Sequence, residues 1–375
     1  MDSPFVFNKF VTGTDFIART GEQNLLFNML KQRQHCLIYE PAKSGKRSLI
    51  QQTILRMQKE AGNFTLCNIN LFNVRTRRAF VKKFTNHLFS LFATTVTEWE
   101  SLASELLTGT PYKVEAPEYS TKSISVDFGQ VLSKEHVCSI LKLAEKLSEK
   151  YSTNIIVYLE EFQEINLHED ADDTFKLMEK CWIDSRHCTF LITGSFVNEM
   201  KEIFEEKRFF YRFAERIKLE PIDEKSFSEY IIRNFLKAGR VVTKELAVYM
   251  YKLTEGHPWY TQQLADISYG LTRGYLTEQI INQSFTALME LHNHRFHAMT
   301  SRMSLFQLNF IKAILDEMEK FSSTEVLSKY ELQSSANVNR IKEALQKKEI
   351  IQFEKGKPYF IDPLFKTWLK QIYFS

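Results

Sequence analysis

Lys46 is the residue around which chemistry in this chain can be organised. It lies in the stretch Cys36-Leu-Ile-Tyr-Glu-Pro-Ala-Lys-Ser-Gly-Lys-Arg-Ser-Leu-Ile50. This reads as a short buried strand (Cys36 to Tyr39), a tight loop (Glu40 to Ser44) and a helix opening at Gly45-Lys46. Backbone N–H groups of such a loop, the positive end of the helix and a lysine ammonium together cradle a polyphosphate. The phosphate-loop consensus asks for Gly, four residues, then Gly-Lys-Ser/Thr. Gly45 and Lys46 satisfy it, while Glu40 stands at the first glycine and Arg47 at the Ser/Thr. The candidate phosphate-binding residues are Pro41, Ala42, Lys43, Ser44, Gly45, Lys46, Arg47 and Ser48.

The second chemical stretch is Asn154-Ile-Ile-Val-Tyr-Leu-Glu-Glu-Phe-Gln163. Five apolar residues form a buried strand that ends in Glu160 and Glu161. In a phosphate-loop fold, a central parallel strand ending in acids is expected beside the loop. The first acid then reaches a metal through water, and the second polarises an attacking water. The alternative is that the acids merely end a strand at the surface. A third strand, Thr189-Phe-Leu-Ile-Thr-Gly-Ser195, ends in Thr193 and Ser195. These suit sensing of a γ-phosphate or capping of the strand end equally well.

The elements that must position these groups alternate between strand and helix. A helical run, Gln23 to Lys31, precedes the loop, and Ser48 to Lys59 continues from it. Phe64 to Leu71 reads as a strand, and Val74 to Phe92 as a helix with a basic start at Arg75, Arg77, Arg78, Lys82 and Lys83. Such a basic face ordinarily marks solvation and less often nucleic-acid contact. Residues 93 to 133, with Pro111 and Pro117, read as an insertion or lid with one short helix. Lys134 to Lys150 and Asp173 to Cys181 follow as helices, and the last strand falls around Arg216 to Leu219. Alternating strands and helices predict a right-handed parallel α/β sheet.

From Asp223 the strand signal stops. Glu224 to Lys237, Lys244 to Thr254, Pro258 to Gly270 and Thr277 to Leu291 read as a helical domain, with Gly256-His-Pro258 as a turn. Leu305 to Met318, Ser323 to Lys329 and Val338 to Lys348 are helices, and Ile350 to Ile361 is a hairpin turning at Lys355-Gly-Lys357. Three helices and a two-stranded wing make a winged helix-turn-helix, with Val338 to Lys348 in the recognition position. Asn339, Arg340, Lys342, Lys355 and Lys357 are its candidate contacts to double-stranded DNA. The same module also serves protein contacts, and its acids leave that open.

Composition narrows the class. The 375 residues are enough for two or three domains, with 44% hydrophobic and 25% charged residues. A net charge of +3 does not by itself mark a nucleic-acid surface. The five cysteines form no CxxC pair, so neither a disulfide framework nor a zinc site is expected. Cys181, His187 and Cys188 read as buried thiols and a histidine near a strand rather than as metal ligands. With no membrane-length apolar stretch and no apolar leader, a cytoplasmic location is expected.

Taken in order, these pieces resemble the archaeal-type ATPase family, a branch of the STAND and AAA+-related P-loop NTPases near the origin-recognition ATPases. Phe16-Ile-Ala-Arg19 and Glu22 resemble the family's Gly-Arg-Glu box. Its loop, Gly-Pro-Arg-Arg-Ser-Gly-Lys-Thr-Ser-Leu, is similar to Glu40-Pro-Ala-Lys-Ser-Gly-Lys-Arg-Ser-Leu49. Its Asp-Glu-Phe-Gln strand end resembles Glu160 to Gln163, and Thr193 to Ser195 match its Thr-Gly-Ser. Tyr211-Arg212-Phe213, Gly256 to Pro258 and the terminal Phe360, Asp362-Pro363, Phe365 and Trp368 complete the series.

The resemblance implies an α/β P-loop NTPase with an AAA+-like parallel sheet (residues 1–221), a helical lid domain (222–298) and a winged helix (299–375). It implies ATP or ADP as ligand, Lys46 on the β/γ-phosphates and backbone amides of Lys43 to Ser48 around them. Glu160 would serve the metal through water, Glu161 the attacking water, Thr193 would sense phosphate, and Arg212 would act as an arginine in cis or in trans. Arg47 has no acceptor for Mg²⁺, and Ser48 is rotated about a quarter-turn round the helix. Glu40 repels phosphate unless it is paired, with Lys43 or Arg47 as candidates. Nucleotide binding with weak hydrolysis is therefore one expectation. The other is a degenerate ATPase that works through its winged helix on DNA, on a protein partner or within a homo-oligomer.

Overall fold

The computed structural model describes residues 3–60, 62–116, 124–129, 131–207 and 209–375. These pack into two compact units: Thr20–Glu40 with Ile50–Leu219, and Met1–Arg19 with Pro41–Leu49 and Glu220–Ser375.

The first unit contains α1 (Thr20–Lys31), β1 (Cys36–Tyr39), all but the start of α2 (Lys46–Glu60), β2 (Phe64–Asn70) and α3 (Arg77–Phe89). There follow α4 (Val96–Leu106), β3 (Tyr112–Glu115), β4 (Ser125–Phe128), α5 (Lys134–Leu141), α6 (Leu143–Lys150) and β5 (Asn154–Glu160). The unit closes with α7 (Ala171–Trp182), β6 (Cys188–Gly194), α8 (Val197–Lys201) and β7 (Glu215–Arg216). Five strands form one sheet in the order β2-β5-β6-β1-β7, all parallel. Every residue of β1, β5 and β6 is buried, as both faces of a parallel sheet require. The core between sheet and helices is rich in aromatic rings, including Phe80, Phe84, Phe162, Phe175, Trp182 and Phe190.

The sheet order adds a detail the sequence reading did not give: β5, which ends in the paired acids, does not pair with β1, which feeds the loop. β6, the strand of Thr193, lies between them. Residues 93 to 133 hold more than one short helix. α4 carries a complete capping box from Thr95 and Glu98, and β3 pairs with β4 in an antiparallel hairpin, Val114 opposite Val126. Residues 117–123 of that stretch lie outside the described residues. The hairpin is held by the helix beside it: the Val126 N–H donates to Asn86 Oδ1 at 2.8 Å. Asp127 meets Arg78 at 3.1 Å and Lys82 at 2.9 Å. Arg77 pairs with Asp170 and Asp173. Much of the basic start of α3 is therefore matched by acids of its own unit.

The helix expected over Lys134 to Lys150 breaks at Lys142 (φ −83°, ψ 0°), where the indole N–H of Trp182 donates to the Leu141 carbonyl at 3.0 Å. The last strand is shorter than expected and begins earlier, at Glu215. Beyond it the Ile217 N–H still donates to the Leu37 carbonyl at 2.9 Å.

The second unit is helical. α9 (Glu224–Lys237), α10 (Lys244–Leu253), α11 (Pro258–Leu271) and α12 (Glu278–Thr300) are followed by α13 (Leu305–Leu315), α14 (Thr324–Lys329) and α15 (Ser335–Lys347). The hairpin β8 (Ile351–Glu354) and β9 (Lys357–Phe360) leads into α16 (Pro363–Trp368). α12 runs nine residues past the expected end at Leu291. Its Phe296 packs on Phe365 and Trp368 at 5.3 and 5.6 Å between ring centres, which favours continuing the helix. Phe5 of the N-terminal arm is buried in this core against Phe235 and Tyr230.

Candidate nucleotide loop, strand ends and winged helix

The loop is shaped by two residues in the left-handed region, Lys43 at φ 65° and Gly45 at φ 98°. Gly45 accepts that backbone at little cost, whereas Lys43 stores strain of roughly 1 kcal/mol. The Ser44 N–H turns back to the Pro41 carbonyl at 3.3 Å, and the Leu49 N–H takes the Gly45 carbonyl at 3.0 Å. The first helical amides, at Lys46, Arg47 and Ser48, have no partner inside α2, because a helix leaves its first N–H groups unfilled. α2 itself places no acid in that first turn. Lys46 Nζ donates to the Pro41 carbonyl at 2.9 Å, folding the ammonium across its own loop.

Side chains of the same unit brace this loop. Arg19, 8% exposed, donates from one guanidinium nitrogen to the Ser44 carbonyl at 3.1 Å and from the other to the Glu220 carbonyl at 2.9 Å. The Lys43 ammonium lies 5.2 Å from the centre of the Trp259 ring. His257 caps α11 and bonds the Ala42 carbonyl. Burial pushes its pKa down to about 4, with Asp362 opposing and Arg295 assisting. Ser48 Oγ accepts the Val11 N–H at 3.0 Å, tying the helix start to the N-terminal arm.

In the α/β unit the register aligns the strand ends. Tyr39 is opposite Gly194, Leu159 opposite Ile192, and Asn70 opposite Glu160. Glu160 is 4% exposed. Glu161 adopts φ 56°; its carboxylate accepts Gln163 Nε2 at 2.8 Å and the Ser195 hydroxyl. Thr193 Oγ1 donates to the Leu159 carbonyl at 3.4 Å. Gly194 is required by close approach. A Cβ there would lie 2.4 Å from Met200 Cγ and 2.7 Å from Gln163 Oε1.

In the winged helix, Ser334 caps α15 through the Asn337 N–H. Val338, Ile341 and Leu345 face inward, leaving Asn339 and Arg340 exposed. The Lys342 ammonium instead lies over the Phe321 and Phe353 rings, 5.6 and 5.4 Å from their centres. Lys355 (φ 49°) and Gly356 (φ 82°) turn the wing, and Lys357 sits 4.0 Å from Glu319.

Residues 294–371 match the family model described as "Probable winged helix domain". Among solved structures, the chain resembles the Walker-type ATPase PABY2304 of Pyrococcus abyssi at 15% identity and a TM-score of 0.66, covering 98% of this chain and 99% of that one. It also resembles the Aeropyrum pernix ORC2 protein, solved as ADPNP-ADP complexes, at 14% identity and a TM-score of 0.58 over 96% and 93% of the two chains. The fold is that of archaeal Walker-type and origin-recognition ATPases. A third resemblance, to the Aeropyrum pernix ORC1 protein in complex with DNA, has 10% identity and a TM-score of 0.50 over 95% and 93%. No curated protein matches the chain.

Within this ATPase fold several residues sit differently from the sequence reading. In its own unit the Glu40 carboxylate accepts the Leu219 N–H at 3.2 Å and lies 3.6 Å from Arg216, partners the sequence reading did not name. Arg216 in turn stacks 3.7 Å over the Tyr39 ring and pairs with Glu205 at 3.0 Å. Arg212 rests over its neighbour Tyr211 at 5.1 Å, with no hydrogen bond or ion pair among the described residues. His187 bonds Glu145 at 2.7 Å, and the Cys188 thiol is pushed up by burial. Arg19 and Arg216 were missed as supports. Arg19 lay in the quoted Phe16-to-Arg19 box, whereas Arg216 carried no signal, because its role depends on strand pairing. Among the described residues, no helix is long and apolar enough to cross a membrane.

Proposed function

We propose that this chain is a nucleotide-holding switch. It binds ATP or ADP on the loop Pro41 to Ser48, with the N–H groups of Lys43 to Ser48 around the phosphates and Lys46 on the β/γ oxygens. The observation that carries this is the loop itself: Gly45 at φ 98° leads into an acid-free helix start, with Lys46 folded over the loop. Solved relatives of the same fold contain ADPNP and ADP, which supports the choice of ligand. Glu160, Glu161, Thr193 and Arg212 are the residues assigned to chemistry, and turnover is weak.

Mg²⁺, which this fold ordinarily holds through a Ser/Thr after the lysine, does not fit the residues present. Arg47, at the position of that Ser/Thr, has no acceptor atom, and the Ser48 hydroxyl already accepts the Val11 N–H, which leaves it a single lone pair. No step is therefore routed through the metal. Equilibrium titration with ATP and ADP tests the reading. Lys46→Ala should weaken binding at least about tenfold, since a charge-assisted contact to phosphate is lost. Unchanged affinity in that variant would sink the assignment.

A second reading is favoured by one observation: the recognition helix and wing expose Asn339, Arg340, Lys355 and Lys357 together on one module. In this reading the winged helix grips double-stranded DNA. Affinity should then fall linearly with log salt, and Arg340→Ala should reduce the slope by about one if it meets a phosphate. Absence of duplex binding at low salt would leave protein contacts as the module's work.

A further inference from the structure

We propose that the loop takes its nucleotide free of metal, the guanidinium of Arg47 supplying the positive charge that Mg²⁺ brings to loops with Ser or Thr at that position. This rests on the nucleotide reading above and adds a statement about the form of the ligand. Three observations carry it. The first is the chemistry of position 47. A guanidinium has five donors and no lone pair, so it cannot ligate a cation, yet it matches phosphate oxygens two at a time.

The second observation is the role of the hydroxyl that follows Arg47, on Ser48. Ser48 Oγ accepts the Val11 N–H at 3.0 Å, and the arm carrying Val11 is anchored by Phe5, buried in the helical core at 4% exposure. The Val6 N–H adds a second tie to Gln262 Oε1 at 3.2 Å. The hydroxyl is therefore a structural acceptor at the start of α2.

The third observation is charge. Lys43, Lys46 and Arg47 lie within five residues of one another, with no acid in the first turn of α2. A metal-free triphosphate carries more negative charge than its magnesium complex, and a loop with an added fixed cation suits the more charged form. The same substitution removes an inner-sphere metal contact on which phosphoryl transfer in this fold depends. The result is a site that holds nucleotide and turns it over poorly.

The test is titration of the full chain with ATP and ADP, in EDTA and in excess Mg²⁺, for wild type, Arg47→Thr and Arg47→Lys. Wild type should bind at least as tightly in EDTA, and excess Mg²⁺ should weaken apparent binding by depleting free nucleotide. Arg47→Thr should lose about tenfold or more in EDTA, and Arg47→Lys, which keeps the charge but not the planar fork, should lose less. Wild-type binding that needs Mg²⁺ would overturn this inference while leaving the nucleotide reading intact. Equal affinity of Arg47→Thr and wild type in EDTA would also overturn it. Absence of binding under both conditions would remove the nucleotide reading and this inference together.

Discussion

The loop at residues 40 to 48 and the strand ends at 160 to 161 and 193 to 195 depart from the ATPase pattern in different ways. In the loop the backbone is kept and the charges are rewritten. Gly45 retains its left-handed turn and Lys46 its place at the helix start, while Glu40 and Arg47 replace a glycine and a hydroxyl. At the strand ends the residue types are nearly kept, and packing does the fixing. Glu160 is buried, Glu161 is held by Gln163 and Ser195, and Gly194 leaves no room for a side chain. Backbone shape is what binding a phosphate needs, and metal ligands are what cleaving one needs. On the reading proposed above, a chain that preserves the first and alters part of the second would hold nucleotide rather than cleave it fast.

The largest expected effect comes from breaking the packed side of this comparison. Gly194→Ala would place a methyl 2.4 Å from Met200 Cγ and 2.7 Å from Gln163 Oε1, so both must move. Overpacking of this kind costs about 1–3 kcal/mol, read as a lower urea midpoint. Gly45→Ala is the contrasting variant. Its Cβ meets only Arg19 Nε, at an ordinary 3.8 Å, so its penalty comes from φ 98° alone. Equal losses in both would mean that the two regions are not fixed by different means.

Proton linkage gives a smaller effect that separates the regions further. Burial holds His257, beside the loop, at about 4 against an ordinary 6.5, and holds His35, beneath β6, at about the same value. Because the folded form refuses a proton that the unfolded chain accepts, this contribution is complete above pH 6.5 and is lost as pH falls towards 4. The groups facing His257 are Asp362, which favours its charged form, and Arg295, which opposes it. After allowing for its partial exposure, the His257 share is on the order of 1 kcal/mol. His257→Asn should flatten the stability decline between neutral pH and pH 4.5 without abolishing it, since His35 and His292 are also depressed to about 4. An unchanged decline would mean that His257 is not buried neutral in solution.

Much of this fold was readable because its signals are local. The uninterrupted apolar run of β5, the Gly45-Lys46 helix start and the Lys355-Gly356-Lys357 turn each declare themselves within ten residues. What was not readable depends on pairing between distant segments. That β6 separates β1 from β5 is a matter of sheet order, which no single stretch encodes. The β3–β4 hairpin was hidden because its strands are four residues each and lie among prolines and hydroxyl residues that usually mark loops. Arg216 and the Leu219 N–H reach Glu40 through the parallel pairing of β7 with β1, which the loop's own sequence does not encode. Lys342 was counted with the DNA-facing cations from its sequence position. Its helical phase turns it over Phe321 and Phe353.

The smallest expected effect bears most directly on what the loop has become. If Ser48 were a residual metal ligand, Ser48→Ala would weaken nucleotide binding in Mg²⁺ and leave binding in EDTA untouched. The structure gives its hydroxyl a different task, accepting the Val11 N–H at 3.0 Å. Removing it should cost about 0.5–1.5 kcal/mol, the ordinary net value of one hydrogen bond. That loss should appear locally, as faster amide hydrogen exchange at Val11 than at Val6, whose N–H keeps its bond to Gln262. Nucleotide affinity should be unchanged with or without Mg²⁺. Val11 exchange identical to wild type, together with a Mg²⁺-specific loss of affinity, would return Ser48 to the metal. It would also bring the loop back to the same rule as the strand ends, with its ligands kept and only their neighbours changed.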